Sequence, residues 1–94
     1  MKLPRKLNIF GQLVKVEKVP LDDGIGGLCY SRGLIQINDK LSKNKIPQIL
    51  LHEVIHSIIG RLSIYQVITP EIEEIIAEGI SKAIVENFNI KPKD

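Results

Sequence analysis

The sequence predicts an α+β domain: a short antiparallel N-terminal β-sheet followed by two packed helices. Three observations predict it. Short apolar and β-branched runs, broken by Gly- and Pro-containing turns, fill residues 7–38. Apolar residues then recur at helical spacing twice, once after Pro47 and once after Thr69. The 94 residues, 44% hydrophobic and 26% charged, suit one domain over residues 1–94. A chain this small buries only about 60–65% of the surface its unfolded form exposes. A bound metal or a partner therefore has room to contribute to its stability.

Leu7 to Phe10 and Leu13 to Val19 read as strands, with a turn at Gly11-Gln12. Pro20, Asp22, Asp23, Gly24, Gly26 and Gly27 make a loop. Leu28 to Tyr30 and Leu34 to Asn38 form a second hairpin across Ser31-Arg32-Gly33, with Ile35 and Ile37 on one face. The edge of Leu34 to Asn38 is the expected pairing site for an extended peptide. Asp39 to Lys45 is polar and turn-like. Pro47 suits a first helical turn, where its missing N–H costs nothing. That helix buries Leu50, Leu51, Val54, Ile55 and Ile58, and Gly60 is its expected stop. Leu62 to Ile68 carries no decisive pattern. Thr69 caps the next helix, Pro70 takes its first position, and acids fill its first turn. Its expected buried face is Ile72, Ile76, Ile80 and Ala83, flanked by Ile75 and Ile84, and it ends at Phe88 or Asn89.

Composition narrows the function classes. Cys29 is the only cysteine, which excludes a disulfide framework and a multi-cysteine zinc site. A lone thiol fits a reducing cytosol, so the expected location is cytoplasmic. The basic N-terminus is not followed by the apolar run of a leader. Ile46 to Ile59 is too short and too polar to span a bilayer. With a net charge of +2, no Trp and 4% aromatics, the composition argues against nucleic acid as a partner. Lys2, Arg5, Lys6, Lys15 and Lys18 read as a solvated basic face.

The chemistry lies in His52-Glu53-Val54-Ile55-His56, a His-Glu-x-x-His pattern on the first helix. Histidines four residues apart stand one turn above each other, so both imidazoles can reach one ion. Glu53 is rotated by about 100° from His52. It is therefore no third corner of that cluster, but it can approach a water on the ion as general base. The flanks Ile49-Leu50-Leu51 and Ser57-Ile58-Ile59-Gly60 are uncharged. Burying two histidines and a carboxylate there is costly unless they are paired or metal-bound. The plain alternative is two satisfied core histidines and a salt-bridged glutamate.

A zinc ion needs a third protein ligand and leaves a fourth position open. With only two histidines in the chain, that ligand is an acid or Cys29. The second helix offers Glu74 first, then Glu78, Glu71 and Glu73. Glu71 and Glu73 have a ready alternative role, as first-turn acids favoured by the helix dipole. Glu74 and Glu78 lie deeper and one turn apart, so one can bind zinc while the other orients a histidine. Glu78 can instead pair with Lys82 on a solvated stripe. Tyr65, between the helices, is a candidate oxyanion donor or a plain core aromatic. Cys29 reads as a small buried hydrophobe.

The run from Leu50 to Ile58 resembles the active-site helix of zincin metallopeptidases, and Glu74-Ile75-Ile76-Ala77-Glu78 is similar to the glutamate helix of their gluzincin branch. The whole chain resembles small metallopeptidase-like proteins of phages and prophages. The resemblance implies a minimal zincin-like core with one zinc ion. His52, His56 and Glu74 would be ligands and Glu53 the general base/acid, acting on a peptide or protein substrate. The chain departs from larger gluzincins in having no Asn before Glu74 and no third His, and it is expected to lack their separate C-terminal domain. The alternative function is a non-catalytic metal-binding interaction or regulatory module of phage or prophage origin.

Overall fold

A computed structural model of the protein describes residues 3–30, 33–62 and 67–88. Its elements run β1 (Lys6–Ile9), β2 (Gln12–Val19), β3 (Gly27–Tyr30), β4 (Leu34–Asn38), α1 (Ile46–Arg61) and α2 (Pro70–Asn87). This is the α+β fold the sequence predicts, four strands and then two helices.

The sheet order is β1-β2-β4-β3. β1 and β2 pair antiparallel, as do β3 and β4, so both expected hairpins form. The sheet is nevertheless mixed rather than purely antiparallel, because β4 lies parallel to β2. The cause is burial: Ile35 and Ile37 are the most enclosed strand side chains, and a central position between β2 and β3 covers them from both sides. Two expectations change with it. β4 has no free edge for a peptide, and β3 is the strand left at the border beside α1.

The first turn also differs by one residue. Ile9 faces Gln12, so the two-residue loop is Phe10-Gly11, with φ of 52° and 76°. Left-handed backbone at both positions is the geometry of the hairpin turn whose twist matches its strands. Asn38 secures the longer crossing from β2 to β3. Its side-chain amide donates to the Ile25 carbonyl at 2.8 Å and its backbone N–H to the Gly26 carbonyl at 2.8 Å.

Ile9, Val14, Val16, Ile35, Ile37 and Leu50 form the core between sheet and α1. α1 is covered on a second side by α2, where Ile55 and Ile59 meet Ala77. That double coverage explains its apolar sequence. The helix passes through Gly60 and ends at Arg61, one residue beyond the expected stop. α2 begins as predicted, with the Thr69 hydroxyl accepting from the Ile72 N–H, and is capped at Phe88. Its buried face is only partly the expected one: Ile76 packs against Ile55, Ile59 and Ala77. Ile72, Ile75, Ile80 and Ala83 are exposed, and the residues fully enclosed are Ala77 and Ser81. Small side chains there let α2 approach α1 closely, and that rotation turns Glu73, Glu74 and Glu78 toward the histidines. No helix among the described residues is long and apolar enough to cross a membrane.

Candidate metal centre

α1 presents His52 and His56 one turn apart, with ring centroids separated by 4.9 Å. α2 brings Glu74 between them. His52 Nε2 lies 2.8 Å from Glu74 Oε1, and His56 Nε2 lies 2.9 Å from Glu74 Oε2. Ligand atoms of these three residues fall within 4.8 Å of one another. Zinc takes nitrogen and carboxylate oxygen at about 2.0–2.2 Å, so three such donors at this spacing can share one ion. A second observation supports the fit. His52 Nδ1 is fully enclosed and makes no aligned hydrogen bond among the described residues, although Glu78 Oε2 stands 3.3 Å away. A metal-bound imidazole donates its other N–H to an outer acceptor, and Glu78 Oε2 is the carboxylate oxygen within reach of that role.

The remaining α2 acids flank this cluster. His56 Nδ1 donates to Glu73 Oε2 at 2.5 Å. Glu78 accepts from Gln48 Nε2 at 2.5 Å, which holds its second oxygen beside His52. Glu71 is exposed and takes no part. Of the four candidate acids, the geometry thus brings Glu74 to the shared position and Glu73 and Glu78 to one histidine each. The role of Glu73 was hidden in the sequence behind its place in the first helical turn. The signal that locates it is the 73–77–81 spacing, which puts it on the same stripe as two small residues.

Glu53 lies against Gly27 of β3, in the same cleft as the cluster. A Cβ added to Gly27 would stand 3.0 Å from Glu53 Cγ and 3.0 Å from the Gln36 carbonyl oxygen, so a side chain there would crowd both. Glu53 is buried and makes no ion pair or hydrogen bond among the described residues. Burial raises its pKa above the usual carboxylate range; the nearby His52 and His56 pull it back in part, and Glu74 pushes it up. For His56, burial pulls the pKa down, but the Glu73 hydrogen bond and the charges of Glu53 and Glu74 outweigh it, and the net shift is upward.

One cleft of about 860 Å³ contains the cluster, Glu53 and β3. Because Asn38 N–H bonds the Gly26 carbonyl and Gly27 faces Ile37, the alternation of an antiparallel ladder turns the N–H and C=O of Gly27 and Cys29 outward. Cys29 is half-buried against Ser57, and burial, with the charge of Glu53, lifts its thiol to about 11. Tyr65 lies outside the described residues. Comparison with protein-family models, curated proteins and solved structures finds no match to this chain.

Proposed function

We propose that the protein is a zinc-dependent peptidase in which His52, His56 and Glu74 hold the ion and Glu53 is the general base. One observation carries this reading. Two imidazole nitrogens converge on a single carboxylate, and a second carboxylate stands buried and unpaired in the same cleft. When bound, zinc would polarise a peptide carbonyl and lower the pKa of water to near 7.

The chain's own residues supply the rest. Burial raises the basicity of Glu53, which suits a carboxylate that takes a proton from the attacking water and returns it to the leaving amine. Glu73 fixes the ring of His56 through Nδ1, and Glu78 stands beside Nδ1 of His52 as the acceptor that ring would use. The outward backbone groups of Gly27 and Cys29 offer an extended peptide a strand to pair with, which moves the expected pairing edge from β4 to β3. A peptide or unfolded protein segment is therefore the substrate class.

The test is zinc analysis and cleavage of an unfolded protein by wild type and Glu53→Gln. Both should carry one zinc per chain, and the variant should lose about 10²–10⁴-fold in cleavage. Equal cleavage by the two would remove the peptidase reading and leave a metal-binding interaction module.

A further inference from the structure

Arg61 stands at the far end of the same cleft, and it is the one permanent cation among the described residues lining it. The other charged groups there are Glu53, Glu73, Glu74 and Glu78. Its guanidinium donates from Nε to Ser57 Oγ at 3.3 Å and from Nη1 to Gln12 Oε1, both neutral acceptors. Among the described residues it has no carboxylate partner. A guanidinium has more donors than these two acceptors use, in a fork that matches a carboxylate.

The position of Arg61 relative to β3 sets what it can reach. Glu53 meets Gly27 at the start of β3, and Arg61 Nη2 lies beside Gly33, past its end, so α1 and β3 run in the same direction. Arg61 follows His56 by five residues and Glu53 by eight. That is about 7–12 Å along the helix axis, or roughly two to four residues of extended peptide. A peptide paired antiparallel to β3 would arrive at Arg61 with the residues that precede the cleaved bond.

Resting on the peptidase reading, we infer that Arg61 makes the cleft selective for peptides carrying a carboxylate two to four residues from the scissile bond. A charge-assisted pair in this partly covered position is worth about ten- to a hundredfold in affinity. The acids elsewhere in the cleft repel a carboxylate, so the preference is confined to the Arg61 end. Two sources share this chemistry: an internal Asp or Glu on the amino side, or a terminal carboxylate if the peptide runs the other way.

The test uses peptides that differ only by Glu or Gln at each position from four before to four after the cut, with free or amidated C-termini. Cleavage is measured with zinc-loaded wild type, Arg61→Gln and Arg61→Lys. Binding of the same peptides is measured with Glu53→Gln and with Glu53→Gln/Arg61→Gln. Wild type should favour Glu over Gln by at least about tenfold at one such position. Arg61→Gln should equalise the two peptides and Arg61→Lys should keep part of the preference. The position of the effect identifies the source of the carboxylate. Cleavage without an Arg61-dependent preference overturns the inference and leaves the peptidase reading standing. Failure of every peptide to be cut removes that reading. The binding arm then still decides Arg61, because equal affinity for Glu and Gln peptides overturns the inference there as well.

Discussion

His56 Nδ1 donates to Glu73 at 2.5 Å while its Nε2 faces Glu74 at 2.9 Å, so one imidazole is held between two acids of the same helix. A carboxylate only accepts, so Glu73 fixes the proton on Nδ1 and leaves Nε2 as the ligand nitrogen. Glu73→Ala should weaken zinc binding by about 10–100-fold, and Glu73→Gln, which still accepts, should weaken it less. Competition against a zinc chelator measures both.

Zinc should stabilise the fold in a pH-dependent way. The raised pKa of His56 means its charged form contributes stability to the ion-free protein that is fully present below the ordinary histidine value near 6.5. That contribution is lost as pH rises through the raised value. Zinc requires the neutral ring, so its effect runs the other way. At a free concentration 100 times its Kd, zinc adds about 2.7 kcal/mol. Thermal melts at pH 5 to 8, with zinc or with chelator, should show a zinc-dependent gain in Tm that grows with pH.

Glu53 has the same sign as His56 in the ion-free protein, because its pKa too is raised in the fold. Its folded-state pKa is raised, chiefly by burial, so the neutral form is favoured in the fold and ionisation above its unfolded value costs stability. In the ion-free protein at pH 8, Glu53→Gln should therefore raise Tm. The gain should shrink as pH falls through the ordinary carboxylate range, where the unfolded state also becomes protonated. Paired melts of the two proteins check this.

Cys29 reports on the same cleft. With its thiol at about 11, alkylation at pH 7 should be slow, and its rate should rise about tenfold per pH unit toward that value. The Glu53 charge is one cause of the shift, after burial, so Glu53→Gln should speed the reaction at pH 8. Timed labelling followed by mass measurement reads the rate.

The motif on α1 was legible because four-residue spacing on a helix fixes two side chains on one face whatever surrounds them. The strand segments and both hairpins were legible from alternation and turn residues. The parallel pairing of β2 with β4 was not, since it joins segments across a crossover that no local pattern encodes. The buried face of α2 was only partly legible for a related reason. Hydropathy weights Ile72, Ile76 and Ile80, whereas only Ile76 of these packs on α1, beside Ala77, and the fully enclosed residues of α2 are the small Ala77 and Ser81. That one rotation separates a first-turn acid from the Glu73 that holds His56.

Phe10 carries a strain the sequence did not announce. A left-handed backbone at a residue with a large side chain costs about 1–2 kcal/mol, and Asn tolerates it far better. The ring is largely exposed, so little packing is lost on replacement. Phe10→Asn should stabilise the protein by about 1 kcal/mol, a Tm increase of roughly 4–8 °C, seen in a thermal melt.

The most direct measurement is an anomalous difference map at the zinc edge from crystals of the protein grown with zinc. The account predicts one peak per chain, bonded to His52 Nε2, His56 Nε2 and a Glu74 oxygen, with Glu53 close by but unbonded. A map with no peak between these residues, or with the two rings turned to separate neighbours, would contradict it.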